Sequence, residues 1–223
     1  MEVPRRVLKA LQEKPVITSV GYLMRYQPVV ARVKDFLAGH APIAARGAYF
    51  FGIPGAPWWR RKEQSGGQIV EQSTHIYDLT RYLFGDVESV YCRGRTGLIK
   101  SEPNYSVDDA SICNLTFQSG LLCEVTSSCA FPMTEISLEA FCMGGRMRLA
   151  GWPFELTLRT AEEACTYPAM TDVFAEEDRV FVAAVLSGDS SAIKSPYADA
   201  FKTMTLTCAA EQSMASGEPV RVS

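Results

Sequence analysis

Three ionisable side chains fall at helical spacing within residues 66–85: Glu71, then His75 four residues on, then Asp78 three residues later. On a helix these positions project from neighbouring turns of one face, so the imidazole is flanked by two carboxylates. That pattern suits proton transfer. A carboxylate one turn away can orient the ring and stabilise its protonated form, which keeps a histidine useful as an acid or base near neutral pH. Tyr82 extends the stripe, while Ile69, Ile76, Leu79 and Leu83 form an apolar side that can be buried. Glycines bracket both ends as a helix start and a C-cap require. By itself the stripe also fits a solvated helix face. Two carboxylates and a histidine can hold a divalent cation, but His40 is the only other histidine and no HExxH pattern occurs, so no metal site is assigned.

The elements that must position these groups can be read from periodicity and punctuation. A short helix is expected over 5–13, a strand over 16–21 after Pro15, and a helix over 28–37, where Pro28 suits a first helical position and Val29, Val30, Val33 and Leu37 make one apolar stripe. A strand over 43–51 ends in aromatic residues and leads into a loop over 52–65 that carries Trp58, Trp59, Arg60, Arg61 and Lys62. From 87 to 158 the pattern becomes period-two. Residues 111–117 and 121–129 read as one hairpin about Ser119-Gly120, residues 136–142 and 147–149 as another about Gly144-Gly145, followed by a strand over 155–159. The chain then returns to helix over 173–186, capped by Asp172, and over 197–215, closed by Gly217, before a short strand over 220–222. Helices, then consecutive strands, then helices predict an α+β architecture with a largely antiparallel sheet.

Composition narrows the function classes. Of 223 residues 47% are apolar, and the formal net charge is −3, so a sizeable core is available and there is no electrostatic footprint for nucleic acid or an anionic membrane. No apolar run approaches the roughly 20 residues of a spanning helix, and the first residues lack a secretion signal's apolar core, which makes the cytoplasm the expected compartment. The seven cysteines are scattered and never spaced as CxxC, so they are read as reduced, mostly buried side chains. No GxGxxG occurs, and Gly52-Ile53-Pro54-Gly55 lies in a proline-broken loop that cannot replace it.

With these segments in view, the chain resembles the C-terminal part of the glucose-fructose oxidoreductase / inositol dehydrogenase (Gfo/Idh/MocA) family. The resemblance is carried by Val20-Gly21-Tyr22-Leu23-Met24-Arg25-Tyr26-Gln27-Pro28, by Trp58-Trp59-Arg60, by residues 65–85, and by residues 205–222 with their Ala209-Ala210-Glu211-Gln212-Ser213-Met214 run. It implies a large, mainly antiparallel mixed sheet with helices on one face, as in the C-terminal domain of glyceraldehyde-3-phosphate dehydrogenase. Its open face would support a homodimer or homotetramer. Residues 1–22 would then be the last helix and strand of a nucleotide-binding domain, and residues 23–223 the substrate-binding and oligomerisation domain.

The resemblance further implies oxidoreduction of a sugar- or polyol-like CH–OH group with NAD or NADP in the full-length protein, and no cofactor bound by this chain alone. His75 matches the family's acid/base histidine. Glu71 stands where many members have aspartate. Arg25, Tyr49, Trp59, Arg60 and Asp78 are the expected substrate-contacting residues, because arginine and aromatic faces suit hydroxylated or anionic small molecules. The family's lysine lies in a Glu-Lys-Pro motif a full helix upstream of the strand ending at Gly21. Glu13-Lys14-Pro15 spells that tripeptide, but it directly precedes the 16–21 segment, so Lys14 is not assigned the role. The alternative reading is a stand-alone dimerisation or ligand-binding module without redox activity.

Overall fold

The computed structural model describes residues 1–169 and 172–222. Among the described residues nine strands form one sheet, in the order β8-β7-β6-β5-β1-β4-β3-β2-β9. They are β1 (Pro42–Phe50), β2 (Val87–Arg95), β3 (Ala110–Phe117), β4 (Leu122–Ser128), β5 (Glu135–Cys142), β6 (Gly145–Ala150), β7 (Glu155–Thr160), β8 (Ala164–Tyr167) and β9 (Val220–Arg221). Every neighbouring pair is antiparallel except β1 and β4, so the sheet is mixed with β1 inserted at its centre. Both expected hairpins form, and Gly120 and Gly144 supply the positive φ angles, 85° and 78°, that their turns need. The short edge strand β8 and the parallel β1–β4 pairing carried no sequence signal.

The helices are α1 (Glu2–Glu13), α2 (Pro28–Gly39), α3 (Lys62–Ser65), α4 (Gln68–Glu71), α5 (Thr74–Phe84), α6 (Val173–Ser187) and α7 (Tyr197–Ser216). The Asp172 carboxylate caps α6 by accepting from the Phe174 and Ala175 N–H groups. One face of the sheet alternates into the core. Ala45 and Tyr49 of β1, Leu115 and Phe117 of β3, Val125 of β4, Leu138 of β5 and Leu149 of β6 pack against Val29, Val30 and Val33 of α2, Ile76 and Leu79 of α5, and Leu206 of α7. At Gly47 a Cβ atom would lie 3.1 Å from Ile76 Cγ1, so α5 rests directly on the middle of β1.

Among the described residues no helix packs on the other face. Across β4, β1, β5 and β6 the register lines up Glu124, Arg46, Glu139 and Arg148, an alternating charge ladder in which Arg46 Nε donates to Glu139 at 2.6 Å. Ile112, Leu122 and Phe141 are exposed beside it. Ser128, at the end of β4, is buried, and its hydroxyl donates to the Asp109 carbonyl oxygen.

Two further expectations are corrected. Residues 16–21 are extended but pair with no strand. Their polar groups are taken by the connection before α7, with Val20 N–H donating to the Ser195 carbonyl at 2.9 Å, Ser195 Oγ donating to the Val20 carbonyl at 2.6 Å, and Tyr197 N–H donating to Thr18 Oγ1 at 3.0 Å. Nor are all the cysteines reduced. Cys92 and Cys113 face each other across β2 and β3 and are joined as a disulfide, an encounter set by strand register rather than sequence spacing. No helix among the described residues is long and apolar enough to cross a membrane.

Leu138 lies at the centre of the buried face, so Leu138→Ala is expected to cost about 3 kcal/mol in a denaturant titration. Leu98→Ala, in the exposed loop after β2, should stay within about 0.5 kcal/mol; equal losses at the two sites would contradict this assignment of the core.

Candidate active site

The 66–85 segment is broken rather than one continuous helix. Ser73 N–H and Ser73 Oγ both turn back to the Gln68 carbonyl, at 2.8 and 3.2 Å, which ends α4 before α5 begins at Thr74. The break separates Glu71 from His75 and Asp78, which both lie on α5. Glu71 accepts from the indole N–H of Trp59, not from His75. Burial raises the Glu71 pKa, while the Trp59 hydrogen bond works against that rise. Trp59 is buried with Val107 and Cys129, and Arg60 pairs with Glu102 at 2.6 Å.

Arg25 and Asp78, expected to contact substrate, are buried and pair with each other. Arg25 Nε donates to Asp78 Oδ2 at 2.7 Å and Nη2 to Oδ1 at 2.6 Å, the two-pronged geometry that a guanidinium and a carboxylate favour. Arg25 Nη1 also reaches Asp199 at 2.6 Å, Thr203 Oγ1 donates to Asp78 at 2.8 Å, and Arg81 reaches Asp199 at 2.5 Å. Burial opposes the Arg25 charge, but Asp78 and Asp199 outweigh it and hold the guanidinium pKa above its ordinary value. The network clamps the 3₁₀ turn Leu23–Tyr26 to α5 and α7.

His75 is the residue left facing open space. It borders a cavity of about 230 Å³ whose walls come from Leu23 and Met24 of the 3₁₀ turn, Tyr49 and Phe51 at the end of β1, and Ile136 of β5. Trp152, in the loop between β6 and β7, and Phe174 of α6 complete it. The Tyr49 ring lies nearly parallel to the imidazole with centroids 6.5 Å apart, and Tyr22 meets it edge-on at 5.9 Å. Tyr22 is held in turn by Thr74, its hydroxyl lying 3.1 Å from Oγ1. His75 Nδ1 is buried with no hydrogen-bond partner among the described residues.

Burial without a carboxylate partner pushes the His75 pKa down to about 4, so the ring is neutral near pH 7. The expected Glu71 support for a protonated imidazole is thus absent, and burial holds the ring neutral. Tyr49 stays protonated, its pKa raised to about 12 by burial and by the Glu71 charge. Among the described residues no group of three or more His, Cys, Asp or Glu side chains could hold a metal ion. Of the seven sequence-predicted site residues, His75 and Tyr49 share the cavity. Leu23 and Met24 lay inside a motif already singled out, but Phe51, Ile136, Trp152 and Phe174 come from distant elements and had no signal of function.

Comparison with known proteins bears on the fold. Residues 41–148 match the family model of the GFO/IDH/MocA C-terminal domain. The scyllo-inositol 2-dehydrogenase (NAD(+)) of Bacillus subtilis is 31% identical over 136 residues, 59% of this chain and 39% of that protein. An uncharacterized protein of Schizosaccharomyces pombe is 37% identical over 87 residues, 37% of this chain and 21% of that protein. The matches therefore span well under half the length of these curated relatives. Among solved structures, levoglucosan dehydrogenase in complex with NADH and levoglucosan superposes with a TM-score of 0.85 at 20% identity, covering 99% of this chain and 70% of that one. An oxidoreductase from Agrobacterium radiobacter in complex with NAD+, L-tartaric acid and magnesium gives 0.78 at 21% identity, covering 98% and 69%. At that identity these structures establish the fold. By sequence, residues 41–148 match the C-terminal domain of the GFO/IDH/MocA family, and the described chain shares the fold of the superposed structures.

The depressed His75 pKa has a measurable consequence. Between 6.5 and about 4 the unfolded chain binds a proton at this position and the folded chain does not, so stability rises with pH across that window. This contribution is complete above 6.5 and lost as pH falls through 4. NMR titration of the His75 ring should show a midpoint near 4, and His75→Gln should flatten that part of the stability curve. A midpoint near 6.5 would contradict the buried, unpartnered ring.

Proposed function

We propose that this chain is the substrate-binding and oligomerisation domain of an NAD(P)-dependent oxidoreductase that acts on the CH–OH group of a sugar- or polyol-like molecule. The observation that carries this reading is the neutral His75 imidazole at the wall of an otherwise apolar cavity. With Nδ1 buried, Nε2 is the ring nitrogen available to a substrate. A carbinol hydroxyl hydrogen-bonded to Nε2 loses its proton to the ring as the carbon is oxidised to a carbonyl, and in reduction the imidazolium returns it. Leu23, Met24, Phe51 and Trp152 exclude water around that transfer. Arg25 and Asp78 act one layer away, fixing the 3₁₀ turn that supplies Leu23 and Met24.

A dinucleotide needs a strand, a glycine-rich phosphate turn and a helix. The described residues offer no such cradle, and the paired positive-φ glycines Gly66 and Gly67 are backed by Val70 and by the Glu211 carboxylate, which repels a phosphate. In this reading NAD(P), which takes up or gives the hydride, is held by a nucleotide-binding domain outside residues 23–223, with residues 1–22 as that domain's last helix and extended segment. The cytoplasm is the proposed compartment.

The uncovered sheet face is the proposed self-association surface, where Ile112, Leu122 and Phe141 lie beside the charge ladder. Sedimentation is expected to show a dimer or tetramer that Phe141→Asp weakens at least tenfold; a monomer at micromolar concentration would refute this part.

Titration of the 223-residue chain with NADH and NADPH is expected to leave nicotinamide fluorescence unchanged. Saturable micromolar binding would place a cofactor site in this chain and overturn that division of labour. In the assembled dehydrogenase His75→Ala should lower kcat by roughly 10²- to 10⁴-fold.

A further inference from the structure

We infer that the His75 cavity selects a cyclic secondary alcohol carrying few further hydroxyls and presenting an apolar ring face, rather than a fully hydroxylated polyol. This deepens the proposed function and rests on its assignment of the cavity as the substrate site. Among the described residues lining the cavity none is charged, and of these His75, Tyr49 and Trp152 carry a side-chain nitrogen or oxygen. The charged groups that would recognise a ring of hydroxyls are engaged elsewhere: Arg25 and Asp78 with each other, Arg60 with Glu102, and Glu71 with Trp59.

At about 230 Å³ the space is below the usual range for drug-sized ligands and fits a single small ring. At its mouth Trp152 and Phe174 stand 38% and 59% exposed with ring centroids 6.3 Å apart, a platform for the C–H face of such a ring. His75 takes the reacting hydroxyl, and the Tyr49 and Trp152 donors can satisfy one or two more. A six-hydroxyl carbocycle would leave several hydroxyls against Leu23, Met24 and Ile136 with nothing to bond, and each such group weakens binding by roughly tenfold.

The test is an NMR titration of the 223-residue chain with three molecules on the same carbon ring: cyclohexanol, trans-1,2-cyclohexanediol and scyllo-inositol. The chain has two histidines, so the His75 ring signals are read directly against His40 as the internal control. Cyclohexanol is expected to shift His75 saturably without moving His40, the diol to bind comparably or up to about tenfold more weakly, and scyllo-inositol at least about 100-fold more weakly. Phe174→Ser, at an exposed position that folding tolerates, should weaken cyclohexanol by about tenfold while leaving the scyllo-inositol response unchanged. Binding of scyllo-inositol as tight as that of cyclohexanol would overturn the inference and leave the cavity as the substrate site. If none of the three moves the His75 signals up to its solubility limit, both the inference and the reading of the cavity fall.

Discussion

The buried ion pair between Arg25 and Asp78 is the constraint on which the site depends. It joins three pieces of chain that are far apart in sequence: the 3₁₀ turn Leu23–Tyr26, helix α5, and, through Asp199 and Thr203, the first turns of α7. A guanidinium removed from water is tolerable only when its donors are matched, and here Nε and Nη2 meet one carboxylate while Nη1 meets Asp199 and the Lys194 carbonyl. Removing one partner would strand the other as an uncompensated charge at a cost of about 3–5 kcal/mol. The pair therefore contributes more to geometry than to net stability. It fixes where Leu23 and Met24 stand relative to His75, and so where the cavity wall lies.

A second constraint comes from the sheet. The absence of a side chain at Gly47 lets Ile76 settle onto β1, which brings the start of α5 close to the strand's end and sets the His75 ring near Tyr49. Proximity to apolar and aromatic surface, with Glu71 diverted to Trp59, makes the imidazole neutral. The chemistry of the site thus follows from packing: a histidine with a carboxylate partner would be held protonated, and this one is released from that role by a tryptophan.

The uneven use of charge across the two sheet faces fits the same logic. Charged side chains near the helical face are internally matched, as in the Arg25 network and the Lys62 contacts to Asp108 and Glu211. On the uncovered face Glu124, Arg46 and Arg148 of the ladder remain at the surface around the buried Glu139, where water or a second molecule can meet them. A sheet with one polar, one apolar side needs helices on one side alone.

Most of the elements were legible in the sequence, and so was a histidine, His75, that the fold sets on a cavity wall. Period-two alternation over 87–158, the turn glycines and the Asp172 cap are local signals, and local physics suffices to produce a strand, a turn or a helix end. The spacing around His75, with its Gly-bracketed helix and the tail motif around Glu211, was enough to indicate the family. Tertiary structure alone decided which partners the polar groups took. Ser73 bonding back to Gln68 broke the expected single helix, the indole of Trp59 took Glu71, and Arg25 took Asp78, because each buried polar group must find whichever donor or acceptor the packed fold brings within reach. The Cys92–Cys113 bond, the unpaired 16–21 segment and the walls supplied by Ile136, Trp152 and Phe174 belong to the same class. They depend on register and on contacts between residues far apart in the chain, and no local pattern encodes which distant residue will arrive.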